Sequence, residues 1–142
     1  MVRPFNGKTE LYIVVGLKNT LGEMLEDMDR KQIIAVDFDG TLCFSTWPDT
    51  GEPNQPLIDY LKIHKKAGDK LILWTCRSGV ILDKVLSWCR EVAKLEFDAV
   101  NDNVPEVIDY YGNNSRKIFC DIYIDDKTCV PDEFCGKCRK IQ

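Results

Sequence analysis

The sequence predicts a single α/β domain with a mainly parallel central sheet and helices layered on both faces. Three observations carry this reading. The chain has 142 residues, a length that suits one core. Its apolar runs are short and do not alternate: Ile33-Ile34-Ala35-Val36, Leu71-Ile72-Leu73-Trp74, and Ile118-Phe119-Cys120 leading into Ile122-Tyr123-Ile124. Strands covered on both faces read this way, as they do in parallel sheets. Helical segments fall between the runs, and strand–helix alternation is the pattern of a doubly wound sheet.

The elements follow in chain order. Residues 1–31 read as an N-terminal strand and helix extension. Glu10 to Val15 supplies the strand. Thr20-Leu21-Gly22-Glu23 resembles a capping box, ahead of a helix whose apolar face is Leu21, Met24, Leu25 and Met28. The core, residues 32–127, opens with the strand Ile33–Val36. Pro56 to Lys66 is a helix: Leu57, Ile58 and Leu61 share one face, a proline sits in the first turn, and Gly68 follows the end. After the strand ending at Trp74, Leu82, Val85, Leu86, Cys89, Val92 and Ala93 form a second helical stripe. Phe97 to Val100 reads as a short strand, Ile122 to Ile124 as the last, and residues 128–142 as a cysteine-containing tail.

Composition excludes several functions. With 44% hydrophobic and 30% charged residues, a disordered or fibrous chain is not expected. A net charge of −4 argues against coating nucleic acid, which favours a basic surface. The apolar run Leu11–Leu17 is too short for a membrane span. The seven cysteines are odd in number and no signal-like leader precedes them, so reduced thiols and a cytoplasmic protein are expected. Cys135-Gly136-Lys137-Cys138 is a single C-x-x-C; free thiols are the first reading, with Zn²⁺ held together with Cys129 and Cys120, or a redox pair, as alternatives.

The chemistry concentrates in Asp37-Phe38-Asp39-Gly40-Thr41-Leu42. Here an apolar strand runs into two carboxylates spaced i, i+2 and then a glycine that permits a sharp turn. Ligands in open α/β sheets bind at the carboxyl ends of the strands. Trp74-Thr75-Cys76-Arg77-Ser78-Gly79 ends another strand in a hydroxyl and a turn into a helix, an anion cradle. Lys117 precedes the last strand, and Asp125-Asp126 end it. Hard oxygen donors of this kind suit Mg²⁺ with a phosphate oxygen. Histidine-based phosphatases are excluded, since the one histidine, His64, precedes Lys65-Lys66 at a solvated helix end. Neither a Cys-x5-Arg loop nor a Walker or Gly-x-Gly-x-x-Gly turn occurs.

The segment Asp37–Leu42 resembles the first motif of the haloacid dehalogenase-like phosphohydrolases. Leu73–Gly79 resembles their second motif, Lys117 their third and Ile124–Asp126 their fourth. The likeness covers residues 33–126 and extends to small, capless bacterial and phage members. It implies a Rossmann-like three-layer sandwich and a Mg²⁺-dependent phosphomonoester hydrolase. Asp37 would be the nucleophile that forms an aspartyl-phosphate, and Asp39 the general acid and base, with its pKa raised toward the working pH. Asp37, the backbone carbonyl of Asp39, and Asp125 would hold Mg²⁺. Thr75 and Lys117 would bind the phosphoryl oxygens, with Lys127 the alternative lysine. Asp126, Arg77 and Asn101 are expected to support these residues or touch substrate; Asn101 and Asn103 either line the cleft or shape turns.

No segment has room for a sizeable cap, so the cleft should be open. The loop Cys43 to Gln55 then either acts as a flap over it or is an ordinary connection with Trp47 packed on the core. The expected partner is a small phosphorylated substrate or the phosphorylated end of a macromolecule, with no membrane; oligomerisation stays open. The competing function is a non-catalytic phosphoacceptor or scaffold with the same fold.

Overall fold

The computed structural model describes residues 30–128. The strand and helix expected before Arg30, and the tail cysteines Cys129, Cys135 and Cys138, lie outside the described residues. In order come β1 (Ile33–Val36), β2 (Cys43–Phe44), β3 (Glu52–Pro53), α1 (Gln55–Lys66), β4 (Lys70–Leu73) and α2 (Gly79–Trp88). A π-helical turn (Cys89–Ala93) extends α2 before β5 (Ala99–Val100), α3 (Pro105–Tyr111) and β6 (Ile122–Ile124).

The main sheet has four strands in the order β5-β4-β1-β6, and every pairing is parallel. Strand β1 is central, with Ile34 opposite Leu71 on one side and Ile122 on the other. All four of its residues are buried, because alternate side chains serve two cores. Ile34 and Val36 join Leu71, Leu73, Ile58 and Leu61 of α1, and Val85 and Trp88 of α2. Ile33 and Ala35 join Ile72, Val104 and Ile118 on the opposite face. The unalternating apolar run is thus the mark of a strand sandwiched between layers, and the α/β reading holds.

Among the described residues, the two faces are unequally covered. Helices α1 and α2 seal one. The other carries the seven-residue α3, which has no buried residue, and the segment leading to β6. A cavity of about 590 Å³ opens there, lined among others by Ile33, Val107, Tyr110 and Phe119.

The run Ile118-Phe119-Cys120 is not strand, contrary to a reading by hydropathy alone. Its backbone is taken up by side chains: Phe119 N–H donates to Asn103 Oδ1 at 2.7 Å, and Ile118 C=O accepts the Tyr123 hydroxyl at 2.6 Å. The four cysteines among the described residues, Cys43, Cys76, Cys89 and Cys120, are free thiols. No helix among the described residues is long and apolar enough to cross a membrane.

Candidate active site and metal centre

The site forms where β1 and β6 end side by side. Asp37 follows β1, and its N–H donates to Ile124 C=O at 2.9 Å; that bond brings Asp125 and Asp126 alongside. One carboxylate oxygen from each of Asp37, Asp125 and Asp126 lies within 4.8 Å of the others. The chain leaves β1 through a tight turn in which Thr41 and Cys43 N–H both donate to Phe38 C=O. Gly40 adopts φ +76°, and a Cβ there would sit 2.7 Å from Asp126 Oδ2. Gly40→Ala therefore combines left-handed strain with a clash against a carboxylate. We expect it to destabilise the fold by about 1–3 kcal/mol, read by urea unfolding; a neutral result would show that this turn tolerates a side chain.

Thr41 joins the two strand ends. Its hydroxyl donates to Asp37 Oδ2 at 3.1 Å and accepts Asp126 N–H at 2.9 Å. The sequence offered a signal for this residue, a hydroxyl four positions after the first aspartate, but its role depends on the approach of β6. Burial pushes the Asp37 carboxyl up to about 6, the charges of Asp125 and Asp126 add to the effect, and the Thr41 hydrogen bond opposes it.

Asp39 departs from expectation. Its carboxylate is gripped by Arg77, Nε to Oδ2 at 2.9 Å and Nη2 to Oδ1 at 2.6 Å, and also accepts the Ser45 hydroxyl. The Arg77 hydrogen bonds hold its pKa below the usual carboxylate value, outweighing burial, with Ser45 and the charge of Lys127 acting in the same direction. The raised acid of the pair is thus Asp37, not Asp39. Asp126, expected in a supporting role, joins Asp37 and Asp125 as the third carboxylate of the cluster.

Arg77 is only 1% exposed, so it supports other groups and is closed to substrate. Its guanidinium lies over the rings of Phe38, 5.2 Å from the centroid, and Trp47, 4.9 Å from the centroid. It also donates to the carbonyls of Pro48 at 2.6 Å and Asp49 at 2.8 Å. These two residues belong to the loop between β2 and β3, an antiparallel hairpin that occupies the flap segment Cys43 to Gln55. Trp47 is 59% exposed, which rules out packing on the core.

Thr75 is buried just past β4. Its N–H donates to Asn101 Oδ1 at 2.8 Å, and its hydroxyl oxygen accepts Arg77 N–H at 3.2 Å. Asn101 adopts φ 52° and also donates through Nδ2 to Arg77 C=O at 3.4 Å. It templates the turn from Thr75 to Arg77, the supporting role of the two foreseen. Asn103 is buried and bonds Asn114, Ser115 and Phe119, which makes it a loop-shaping residue. His64 pairs with Asp69 at 2.7 Å.

The lysines exchange places. Lys117 is exposed and lines a separate cavity of about 290 Å³ with Asn103, Tyr111 and Phe119. Lys127 N–H donates to Asp125 Oδ1 at 2.8 Å, and its charge reaches Asp39. Of the two lysines, Lys127 is the one whose backbone and charge touch the acidic residues. The donor set of Asp37, Asp125 and Asp126, all carboxylate oxygens, fits a hard divalent cation such as Mg²⁺. Burial first, and then the uncompensated charges of Asp125 and Asp126, raise the proton affinity of Asp37.

No protein-family model and no curated protein matches the chain. Among solved structures, a conserved protein from Bacteroides thetaiotaomicron is similar, with a TM-score of 0.61 and 39% sequence identity over 72% of this chain and 84% of that one. With that identity over most of both chains, this protein belongs to the same family as the Bacteroides conserved protein.

Proposed function

We propose that the protein is a Mg²⁺-dependent phosphomonoester hydrolase of the haloacid dehalogenase-like type, working in the cytoplasm through an aspartyl-phosphate on Asp37. The observation that carries this is the convergence of Asp37 with Asp125 and Asp126 at adjoining strand ends. Asp37 Oδ1 is the attacking atom in this reading, since Oδ2 accepts the Thr41 hydroxyl. A carboxylate nucleophile divides one hard displacement into two easier ones. The Thr75 hydroxyl and the Lys127 ammonium bind phosphoryl oxygens. When bound by Asp37, Asp125 and Asp126, Mg²⁺ supplies the positive charge that lets a phosphoryl group approach three carboxylates.

Asp39 performs the proton transfers. Held by Arg77 it is ionised, the form that takes a proton from the water hydrolysing the aspartyl-phosphate. Donating a proton to the leaving oxygen requires release from that grip, and an incoming phosphate dianion favours release by raising the proton affinity of a neighbouring carboxylate. The site has no cap among the described residues, so small phosphorylated substrates and phosphorylated macromolecular ends both have access.

The test is phosphate release from p-nitrophenyl phosphate. We expect turnover with Mg²⁺, a fall of at least about 10³-fold on chelation, and recovery on adding the metal back. The proton competes with the metal for Asp37, so half-saturation should need less Mg²⁺ as pH rises toward and past 6. Activity indifferent to chelation would overturn the assignment. The grip of Arg77 on Asp39 favours one second reading, a phosphoacceptor module, because restraining the base prolongs the life of a phosphoaspartate. A stable acid-trapped phosphoprotein without steady turnover would select it.

A further inference from the structure

We propose that Trp47 is a stacking platform for the nucleobase of a nucleoside monophosphate, a substrate class that rests on the phosphohydrolase reading of Asp37. Trp47 is 59% exposed, yet it is mounted on a buried group: Arg77, 1% exposed, holds the indole with its guanidinium 4.9 Å from the ring centroid. The same guanidinium binds the carbonyls of Pro48 and Asp49, next in sequence, so the backbone carrying the indole is fixed as well. An aromatic side chain held this way loses little entropy when a second ring stacks on it.

One residue, Arg77, links the indole to the chemistry. The guanidinium that carries the indole also bonds Asp39 at 2.6 and 2.9 Å, and Asp39 lies two residues from Asp37. A ring laid on Trp47 thus shares Arg77 with the carboxylate that handles protons, and a nucleoside monophosphate is the small phosphate ester that carries such a ring on its sugar. Every base presents a π-face, so such a platform accepts nucleotides with little regard to sequence. A longer strand is disfavoured: the groove between the hairpin and α2 carries Asp49, Asp83 and Glu91 against Lys84, which repels a polyanion.

The experiment compares kcat/KM for adenosine 5′-monophosphate, ribose 5-phosphate and a 5′-phosphorylated oligonucleotide in wild type, Trp47→Ala and Trp47→Phe, each with Mg²⁺. Stacking of ordinary strength predicts that wild type prefers the nucleotide over ribose 5-phosphate by roughly 5- to 150-fold. The preference, carried in KM, should collapse to about one in Trp47→Ala and be largely kept in Trp47→Phe. A wild type that treats the two small substrates alike, or a preference that survives in Trp47→Ala, would overturn the proposal. So would a superior oligonucleotide. Tryptophan fluorescence of Asp37→Asn separates this from the parent reading. Quenching by the nucleotide, absent with ribose 5-phosphate and lost when Trp47→Phe is added, would support the platform even if no phosphate is ever released; no selective quenching would end it.

Discussion

Asp37→Asn is expected to abolish phosphate release while making the metal-free protein more stable. Loss of the nucleophile should lower kcat by about 10⁴-fold or more. The gain has a separate origin. The Asp37 carboxyl is pushed up to about 6 in the folded state from 3.8, so between those values the native chain holds a proton that the unfolded chain gives up. Stability falls as pH rises through that window and levels off above it. Uncorrected, the shift corresponds to about 3 kcal/mol; with solvent screening of a half-buried group, about 1–2 kcal/mol is a better expectation. The asparagine should therefore melt several degrees above wild type at pH 7, with little difference near pH 4. Saturating Mg²⁺ should stabilise wild type more than the variant. Melting curves at two pH values with and without the metal test this; a variant that melts lower than wild type at pH 7 would contradict the raised proton affinity of Asp37.

Removing Arg77 should produce the largest loss of stability. Arg77→Met leaves Asp39 unpaired and strands the carbonyls of Pro48 and Asp49, each of which now accepts from the guanidinium. A loss of about 3–4 kcal/mol is expected, together with faster proteolysis between Ser45 and Gly51. Arg77→Lys restores charge but not the two-pronged contact with Asp39, so it should recover only part of the loss. Asp39→Asn should cost less, about 1–2 kcal/mol, because Asp39 is 34% exposed and the guanidinium keeps both carbonyls. Denaturant unfolding of the three variants gives the ranking. If Arg77→Met proved no worse than Asp39→Asn, the hairpin would not depend on this cation.

These effects trace back to features of unequal legibility. The central strands were legible because burial on both faces leaves no polar residue in Ile33–Val36 or Leu71–Leu73. Asp37 and Asp125 were legible because a carboxylate at the end of a parallel strand has one edge of the sheet to occupy; Asp126, read as a support, joins them in the cluster. The β2–β3 hairpin was not, since strands of two residues each carry no periodicity. The partner of Asp39 was hidden for a related reason: Arg77 reaches it across 38 positions, and an arginine in a turn looks like a surface residue until the loop closes over it. The choice between Lys117 and Lys127 turned on the same kind of fact. Sequence order put the first just ahead of the last strand, while the backbone bond from Lys127 to Asp125 sets the second beside the acids.

The uneven covering of the sheet by the described residues bears on how this part of the molecule breathes. Amides of β1 and β4, roofed by two helices and flanked by neighbours, are released only when the whole domain comes apart. The two-residue β5 at the border and the connection from α3 to β6, lightly roofed, open through small excursions of far lower free energy. Thermal motion is thereby expected to concentrate at β5 and in the connection to β6, and the central strand β1, which leads into Asp37, to move least.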